Sequence, residues 1–411
     1  MRSPSKQPES PDSPSPRSAL SAGSPSTAAT QPQRLRCCEK FSHSPYRLTI
    51  SQEYWEMNPA ERFTVLSSIG DECMCEEGLL QLLKRKATPI CCIWFQPTPE
   101  MKIEQGIMKT IHVNRMIKAG FQVKILMADW FAQRKSKIDT LDKARTIGLY
   151  NIEMWKAAGM DLHKVELLWL SDELNHHAPD YWPIAMDVAR KTTMDEMIRT
   201  CGLEMYEPEV IPASEFFYPY IQVSAILCRK VDIWLLNVDH RDICMLAIDY
   251  CKDIKGENKP TILLHNTLPS LLKDPGFRNK ANRGRTIFME DEGEFLELKI
   301  RSAFCPPKVA GNPCLAYIEY VIFPWFGKFE VAQKEENGRN KTFASMQELI
   351  ASYENGVIDC ADVKLAFEKA INNILQPVRD YFRGNDEARA LINALKGQMK
   401  MNRTKGQDTS G

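Results

Sequence analysis

Residues 95–106 read Phe95-Gln96-Pro97-Thr98-Pro99-Glu100-Met101-Lys102-Ile103-Glu104-Gln105-Gly106. They join an apolar run, 90–95, to a stretch of helical period, 105–119, that Gly120 ends. A strand feeding a helix start is where an α/β protein holds a phosphate, because the first turn offers free N–H groups and a partial positive charge. Here Trp94 precedes the junction, Pro99 stands in the turn and Glu104 brings a carboxylate to the helix start. The junction therefore reads as a nucleotide site rebuilt against its nucleotide.

The same alternation continues on both sides. Strand-like runs fall at 90–95, 121–128, 165–170, 231–238 and 261–265, and helical periods at 105–119, 141–158, up to Cys201 and around 214–228. Strands alternating with helices predict a parallel sheet wrapped by helices, with ligands at the carboxyl ends of its strands. Before the first strand, Asn58-Pro59-Ala60-Glu61 predicts a capped helix start, and 72–86 reads as one amphipathic stretch. Past about Glu290 the strand signal fades. Segments 295–304, 313–323, 345–353, 362–382 and 386–399 are helical in period, which predicts a separate helical domain.

Composition narrows the classes. With 411 residues the chain is long enough for two or three domains. Its 53 basic and 53 acidic residues balance, which argues against bulk electrostatic attraction to nucleic acid but allows a local basic face. The 13 cysteines include no Cys-x-x-Cys pair, so neither a zinc site nor a disulfide framework is expected. No metal is assigned. No stretch approaches 18 uninterrupted apolar residues, so no membrane span is expected. Residues 1–34 are rich in Ser and Pro, too polar to order themselves, and Glu9 and Asp12 disfavour a transit peptide. The reading is a tail over 1–45, a sheet domain over 46–290, a helical domain over 291–399 and a polar tail over 400–411.

Further segments, taken in order, form a pattern. They are Phe95 to Thr98, Ala-Asp-Trp-Phe-Ala-Gln at 128–133, Ala-Ala-Gly-Met-Asp at 157–161, Tyr-Trp-Pro at 181–183, Tyr218-Pro219 with Gln222, and Asp239 with Arg241. Ile-Phe-Met-Glu-Asp-Glu at 287–292, Ala-Phe-Cys-Pro-Pro-Lys-Val at 303–309 and Gly-Asn-Pro-Cys-Leu at 311–315 close it. The chain resembles the eukaryotic and archaeal type of tyrosyl-tRNA synthetase, most of all in its plant cytosolic form, from about residue 46 to 385. That resemblance implies an α/β class I synthetase fold with a Rossmann-like parallel sheet, then an all-helical anticodon-binding domain. It implies a homodimer, a cytoplasmic location, tRNA as partner, and ATP as co-substrate if the protein is active and no cofactor otherwise. No DNA or membrane partner is implied.

Three groups of residues carry the family's chemistry, and each departs from pattern here. The family's His-Ile-Ala-Gln reads Lys102-Ile103-Glu104-Gln105, so a lysine replaces the phosphate-stabilising histidine and Glu104 sets a carboxylate where a triphosphate would lie. Trp94 replaces a glycine, and an indole fills roughly 150–250 Å² of surface. In the tyrosine pocket Tyr218 and Gln222 remain, whereas Ala225 stands for the aspartate, Cys92 for the tyrosine that binds the substrate hydroxyl, and Trp234 for a pocket glutamine. The simpler alternative for Tyr218 and Gln222 is core packing and a surface amide. Asp239 and Arg241 survive from Gly-Gly-x-Asp-Gln-Arg. His240, beside them, is assigned no role. The mobile Lys-Met-Ser-Lys-Ser loop reads 277–281, where only Lys280 matches. Lys102, Gln105 and Lys280 are thus the remnants of the catalytic signatures, and Tyr218, Gln222 and Asp239 those of the tyrosine pocket. Cys92, Trp94, Glu104, Ala225 and Trp234 argue against activity. Loss at all three places on a retained scaffold implies an impaired or inactive synthetase that works by binding tRNA or protein. The alternatives are an active tyrosine–tRNA ligase and a structural partner that forms a heterodimer with an active synthetase.

Overall fold

Five strands follow the five apolar runs and run in one direction, and a sixth joins them antiparallel at the edge. The protein is described by a computed structural model over residues 57–134, 138–203, 211–228, 231–253, 260–273, 283–332 and 340–405. The N-terminal tail, the loop at 277–281 with Lys280, and residues 406–411 lie outside the described residues.

Helix α1 (Pro59–Ser67) starts as the sequence predicts: the Asn58 side chain accepts from the Ala60 and Glu61 amides, and Glu61 accepts from the Asn58 amide. The stretch at 72–86 is not one helix but a short strand, β1 (Glu72–Cys73), followed by α2 (Glu76–Arg85). Strand β2 (Ile90–Phe95) leads through the quoted junction into one turn of π-helix, Glu104–Met108, and then α3 (Lys109–Lys118). Next come β3 (Gln122–Met127), α4 (Asp129–Ala132), α5 (Leu141–Ala157) and β4 (Val165–Trp169). Helices α6 (Leu170–His176), α7 (Ala178–Lys191), α8 (Met194–Thr200) and α9 (Ser214–Cys228) form the long crossover to β5 (Ile233–Asn237). A single 3-10 turn, Val238–His240, then α10 (Arg241–Asp253) and β6 (Thr261–His265), complete the sheet.

The strand order is β1-β6-β5-β2-β3-β4, with β1 antiparallel at the edge. The chain winds outward from β2 to β3 and β4, then returns to lay β5 and β6 on the other side of β2. The order therefore reverses between β2 and β5, which places the crevice of this sheet beyond their carboxyl ends. Residues alternate across the pleat of β2. Cys91, Ile93 and Phe95 enter one core with α3 and α5, while Cys92 and Trp94 enter the other, against α9 and α10.

The C-terminal part is helical as expected, with α11 (Gly293–Ser302), α12 (Pro313–Tyr317), a second π turn at Ile318–Ile322 and α13 (Phe323–Phe326). An antiparallel pair not anticipated from the sequence follows, β7 (Phe329–Val331) with β8 (Lys341–Phe343). Helices α14 (Met346–Glu354), α15 (Cys360–Gly384) and α16 (Asp386–Lys405) end the described chain. The last of these is helical through Lys405, beyond the point at which fraying was expected. The core on the α3 and α5 side runs on through Ile318, Phe367 and Ile371 to Leu395, so the helical part shares one apolar interior with the sheet.

Candidate functional site

The crevice between β2 and β5 is where the fold would accept a ligand, and Trp94 and His240 stand there with ring centroids 6.4 Å apart. Trp94 is 4 % exposed and meets Phe131 edge to face, with centroids 4.9 Å apart and planes at 83°. Phe131 in turn lies 4.8 Å from the Tyr218 ring. The indole is thus an ordinary core side chain in a chain of aromatic contacts, although its Nε1 has no hydrogen-bond partner among the described residues.

The neighbouring tyrosine-pocket positions close the same space. Cys92 pairs in register with Trp234, and both are fully buried beside Ala225 and Leu236. The Trp234 Nε1 donates to the Ile226 carbonyl of α9 at 3.1 Å, which satisfies the indole within the protein. Gln222 is fully buried rather than a surface amide. Its Nε2 donates to His240 Nδ1 at 3.0 Å, while its Oε1 has no partner among the described residues. Burial, with the nearby Arg134 and Lys109 charges, pushes the His240 imidazole down to about 4, so it stays neutral and accepts that bond. Tyr218 sits at the rim, under the Arg134 guanidinium at 5.3 Å. It borders an open hollow of about 250 Å³ that Trp130, Gln133, Ser214 and Phe217 also line. Asp239 is exposed on the 3-10 turn, where its amide donates to the Asn237 side chain at 2.9 Å. Arg241 is drawn away to Glu72 of β1 at 3.0 Å.

At the junction, the Met101–Ile103 backbone pairs with 287–289: Ile103 donates to the Ile287 carbonyl and the Met289 amide to that of Met101, both at 2.9 Å. Close packing of these two segments explains Gly106, where a Cβ would come within 2.3 Å of the Met289 sulfur. Glu104 behaves differently from an acidic first-turn residue that takes up its own helix donors. Its carboxylate is buried, accepts the Leu268 amide at 3.0 Å and pairs with Lys102 Nζ at 3.2 Å. The Gln105 side chain is also engaged, accepting the Lys102 amide at 3.1 Å. The turn before them is pinned by Asn151, whose side chain accepts the Thr98 amide at 2.9 Å and donates to the Thr98 carbonyl at 2.7 Å.

Beneath the junction lies a basic cluster that the sequence reading passed over. Lys109 is buried, and its ammonium is pushed down to about 8 by burial, with Glu104 pulling the other way. His112, one turn on, faces His265 at the end of β6, with ring centroids 5.6 Å apart. Burial and neighbouring charge hold both imidazoles neutral, His265 down to about 3. The signal was present, since Lys109 and His112 fall on the helix face that should be apolar. Of the sequence-predicted residues, the fold gathers Cys92, Trp94, Gln222, Ala225 and Trp234 into one core and Lys102, Glu104 and Gln105 at the junction. Among the described residues no group of His, Cys, Asp and Glu is arranged to hold a metal ion, and no helix is long and apolar enough to cross a membrane.

A family model described as tRNA synthetases class I (W and Y) matches residues 84–376. The chain is 44 % identical over 363 residues to the Arabidopsis thaliana protein named Tyrosine--tRNA ligase 1, cytoplasmic, a match that covers 87 % of this chain and 94 % of that one. It is 43 % identical over 376 residues to Arabidopsis thaliana Tyrosine--tRNA ligase 2, cytoplasmic, covering 90 % of this chain and 49 % of the relative. Among solved structures, Leishmania major tyrosyl-tRNA synthetase in complex with tyrosinol superposes with a TM-score of 0.77 at 33 % identity, covering 84 % of this chain and 53 % of that one. The chain thus spans nearly all of one such relative and about half of the other two.

Proposed function

This chain belongs to the class I tRNA synthetases, in their tyrosine branch, and on that premise we propose that it keeps the synthetase scaffold to bind tRNA or protein and does not activate tyrosine. The observation that carries this reading is the buried indole of Trp94 at the sheet's reversal point, packed on Phe131 and His240. Adenylation needs preorganised donors around the phosphates and the amino acid held in line with them. Here the carboxylate of Glu104 already takes the Leu268 amide and the Lys102 ammonium, and Gln105 takes the Lys102 amide. On the tyrosine side, Cys92, Ala225 and Trp234 stand where the family's hydroxyl partners would be, and the buried Gln222 turns its amide N–H to His240, with its Oε1 left without a partner among the described residues. Lys102, Gln105 and Lys280 are proposed as remnants of the catalytic signatures, and Tyr218, Gln222 and Asp239 as remnants of the pocket.

Residues 46–290 act in this reading as the former catalytic part and 291–399 as an anticodon-type part that retains tRNA contact. Segments 311–331 and 357–382 support the second assignment by keeping the family pattern. Among the basic residues at its start, Lys328 and Lys341 are described, whereas Lys334 and Arg339 lie outside the described residues. A cytoplasmic location and a dimer, either of two copies or with an active synthetase, complete the proposal.

A second reading, an active tyrosine–tRNA ligase that uses ATP, is favoured by the 44 % identity along almost the whole Arabidopsis thaliana ligase 1. Tyrosine-dependent exchange between ATP and pyrophosphate separates the two. No exchange, with tRNA still retarded in a gel shift that weakens with salt, supports the binding role. Exchange at the rate of an active synthetase overturns it, and co-purification with an active synthetase identifies the heterodimer.

A further inference from the structure

Residues 286–291 lie between the junction and the helical part as a strap, and polar contacts run along it from one to the other. On the junction side, Phe288 stands opposite Lys102, flanked by the bonds from the Ile103 and Met289 amides. In such an antiparallel pair the amide of the middle residue points away from its partner. The Phe288 amide accordingly donates to the Asp291 carboxylate at 2.9 Å. That carboxylate also takes the Lys299 ammonium of α11 at 2.5 Å, and the same ammonium donates to the Thr286 carbonyl at 2.9 Å. One buried ion pair thus fastens both ends of the strap. The Phe288 ring lies between two cations, Lys299 and Arg283, each 4.7 Å from its centroid, and Arg283 pairs with Glu100 in the junction turn. Arg379 on α15 supplies the far end. It is buried, and its Nη1 donates to Asn372 at 2.7 Å and Gln376 at 2.9 Å, which fixes the guanidinium on its own helix. Its Nε donates to the Asp291 carbonyl at 2.9 Å, the one hydrogen bond it makes beyond α15 among the described residues.

We propose that the strap is a conformational coupler, which makes the order of the junction at 100–106 depend on the seating of Arg379 on α15, with Asp291, Lys299 and Arg379 as positioning residues. A buried ion pair adds little net stability over apolar residues of the same size, whereas leaving one partner alone is costly, so Lys299 and Asp291 hold their geometry together or lose it together. The element has two arrangements. In the clamped one, Arg379 holds the Asp291 carbonyl, the turn at 288–291 is closed, and 287–289 pair with 101–103. In the released one, those contacts part together while the two apolar cores stay folded. A ligand that favours the clamped arrangement from one end then favours it at the other by the same factor. The path includes no residue of the tyrosine pocket, so it holds whether or not the chain activates tyrosine.

The test is hydrogen exchange of the full chain, read by mass spectrometry on peptides over 100–108, 286–291 and 372–383, with 241–253 of α10, in the other core, as reference. In Arg379→Met, exchange should quicken roughly 5–150-fold over 286–291 and over 100–108 alike, the span of a typical coupling, with the reference unchanged. Arg379→Lys, which keeps a donor, should restore part of that protection. In the opposite direction, Gly106→Ala forces the Met289 side chain to move and should quicken exchange over 372–383. On the unmodified protein, which needs no variant to fold, exchange over 100–108 and 286–291 should rise with sub-denaturing urea along a single slope. Unchanged protection of 100–108 in Arg379→Met, an equal rise in the reference, an unmoved 372–383 in Gly106→Ala, or separate urea slopes would each overturn the coupler.

Discussion

Replacing Trp94 by alanine is the sharpest test of the claim that its indole has become core. The side chain is 4 % exposed and lies among Cys92, Leu126, Phe131, Trp234 and Leu236. Truncating a buried Trp to Ala costs about 3–5 kcal/mol through lost transfer energy and the cavity left behind. The edge-to-face contact with Phe131 at 4.9 Å adds roughly 0.5–1.5 kcal/mol. Against this, the buried Nε1 has no partner among the described residues, and removing an unsatisfied polar group returns about 1–3 kcal/mol. The net loss should be about 3 kcal/mol. For a unit the length of Tyr54–Gly411, an unfolding entropy near 2.1 cal/mol/K per residue gives about 0.7 kcal/mol/K. The Tm should therefore fall by about 4 °C, and urea unfolding should show a lower midpoint at constant slope. A loss below about 1 kcal/mol would refute the reasoning, because it would mean that the indole swings freely over an open crevice.

Other consequences can be checked in the same way. Glu104→Ala should cost about 1–3 kcal/mol in urea, because the buried Leu268 amide loses its acceptor, and Glu104→Gln should recover part of that. Gly106→Ala should lose about 1–3 kcal/mol despite its better helix propensity, since the new methyl meets the Met289 sulfur at 2.3 Å. The His265 imidazole is held near 3, below its unfolded value, so the unfolded state binds its proton first on acidification. Stability should fall with pH from about 6.5 toward 3, by at most about 1.4 kcal/mol per unit for this group, and His265→Gln should flatten that slope in unfolding measured at several pH values.

The scaffold was legible because its signals are local. Asn58 and Glu61 close the predicted capping box, and the apolar runs at 90–95 and 261–265 became β2 and β6 with the bounds that their burial requires. Positive φ at Gly120 (79°) and Gly159 (82°) matches the two helix stops read from the sequence. What the sequence hid depends on long-range partners. The sequence places the Glu104 carboxylate at the helix start, yet it accepts from Leu268, 164 residues away, and from Lys102. Gln222, a pocket remnant or a surface amide by its sequence, is buried, and His240, given no role, is its partner. The π turn at Glu104–Met108 leaves no periodic trace in so short a span. Beyond residue 290 the described elements are helical turns apart from the β7–β8 pair, but one apolar interior runs across that position, and patterning within segments carries no information about that continuity.

The most direct measurement is the melting temperature of the full chain with magnesium-ATP and tyrosine added in increasing concentration. A nucleotide bound in the crevice at a hundred times its Kd would add about 2.7 kcal/mol, close to a 4 °C rise at the slope above. With Trp94 occupying that space, no rise is predicted at any concentration. A saturable rise of several degrees that needs ATP and is enlarged by tyrosine would contradict the account.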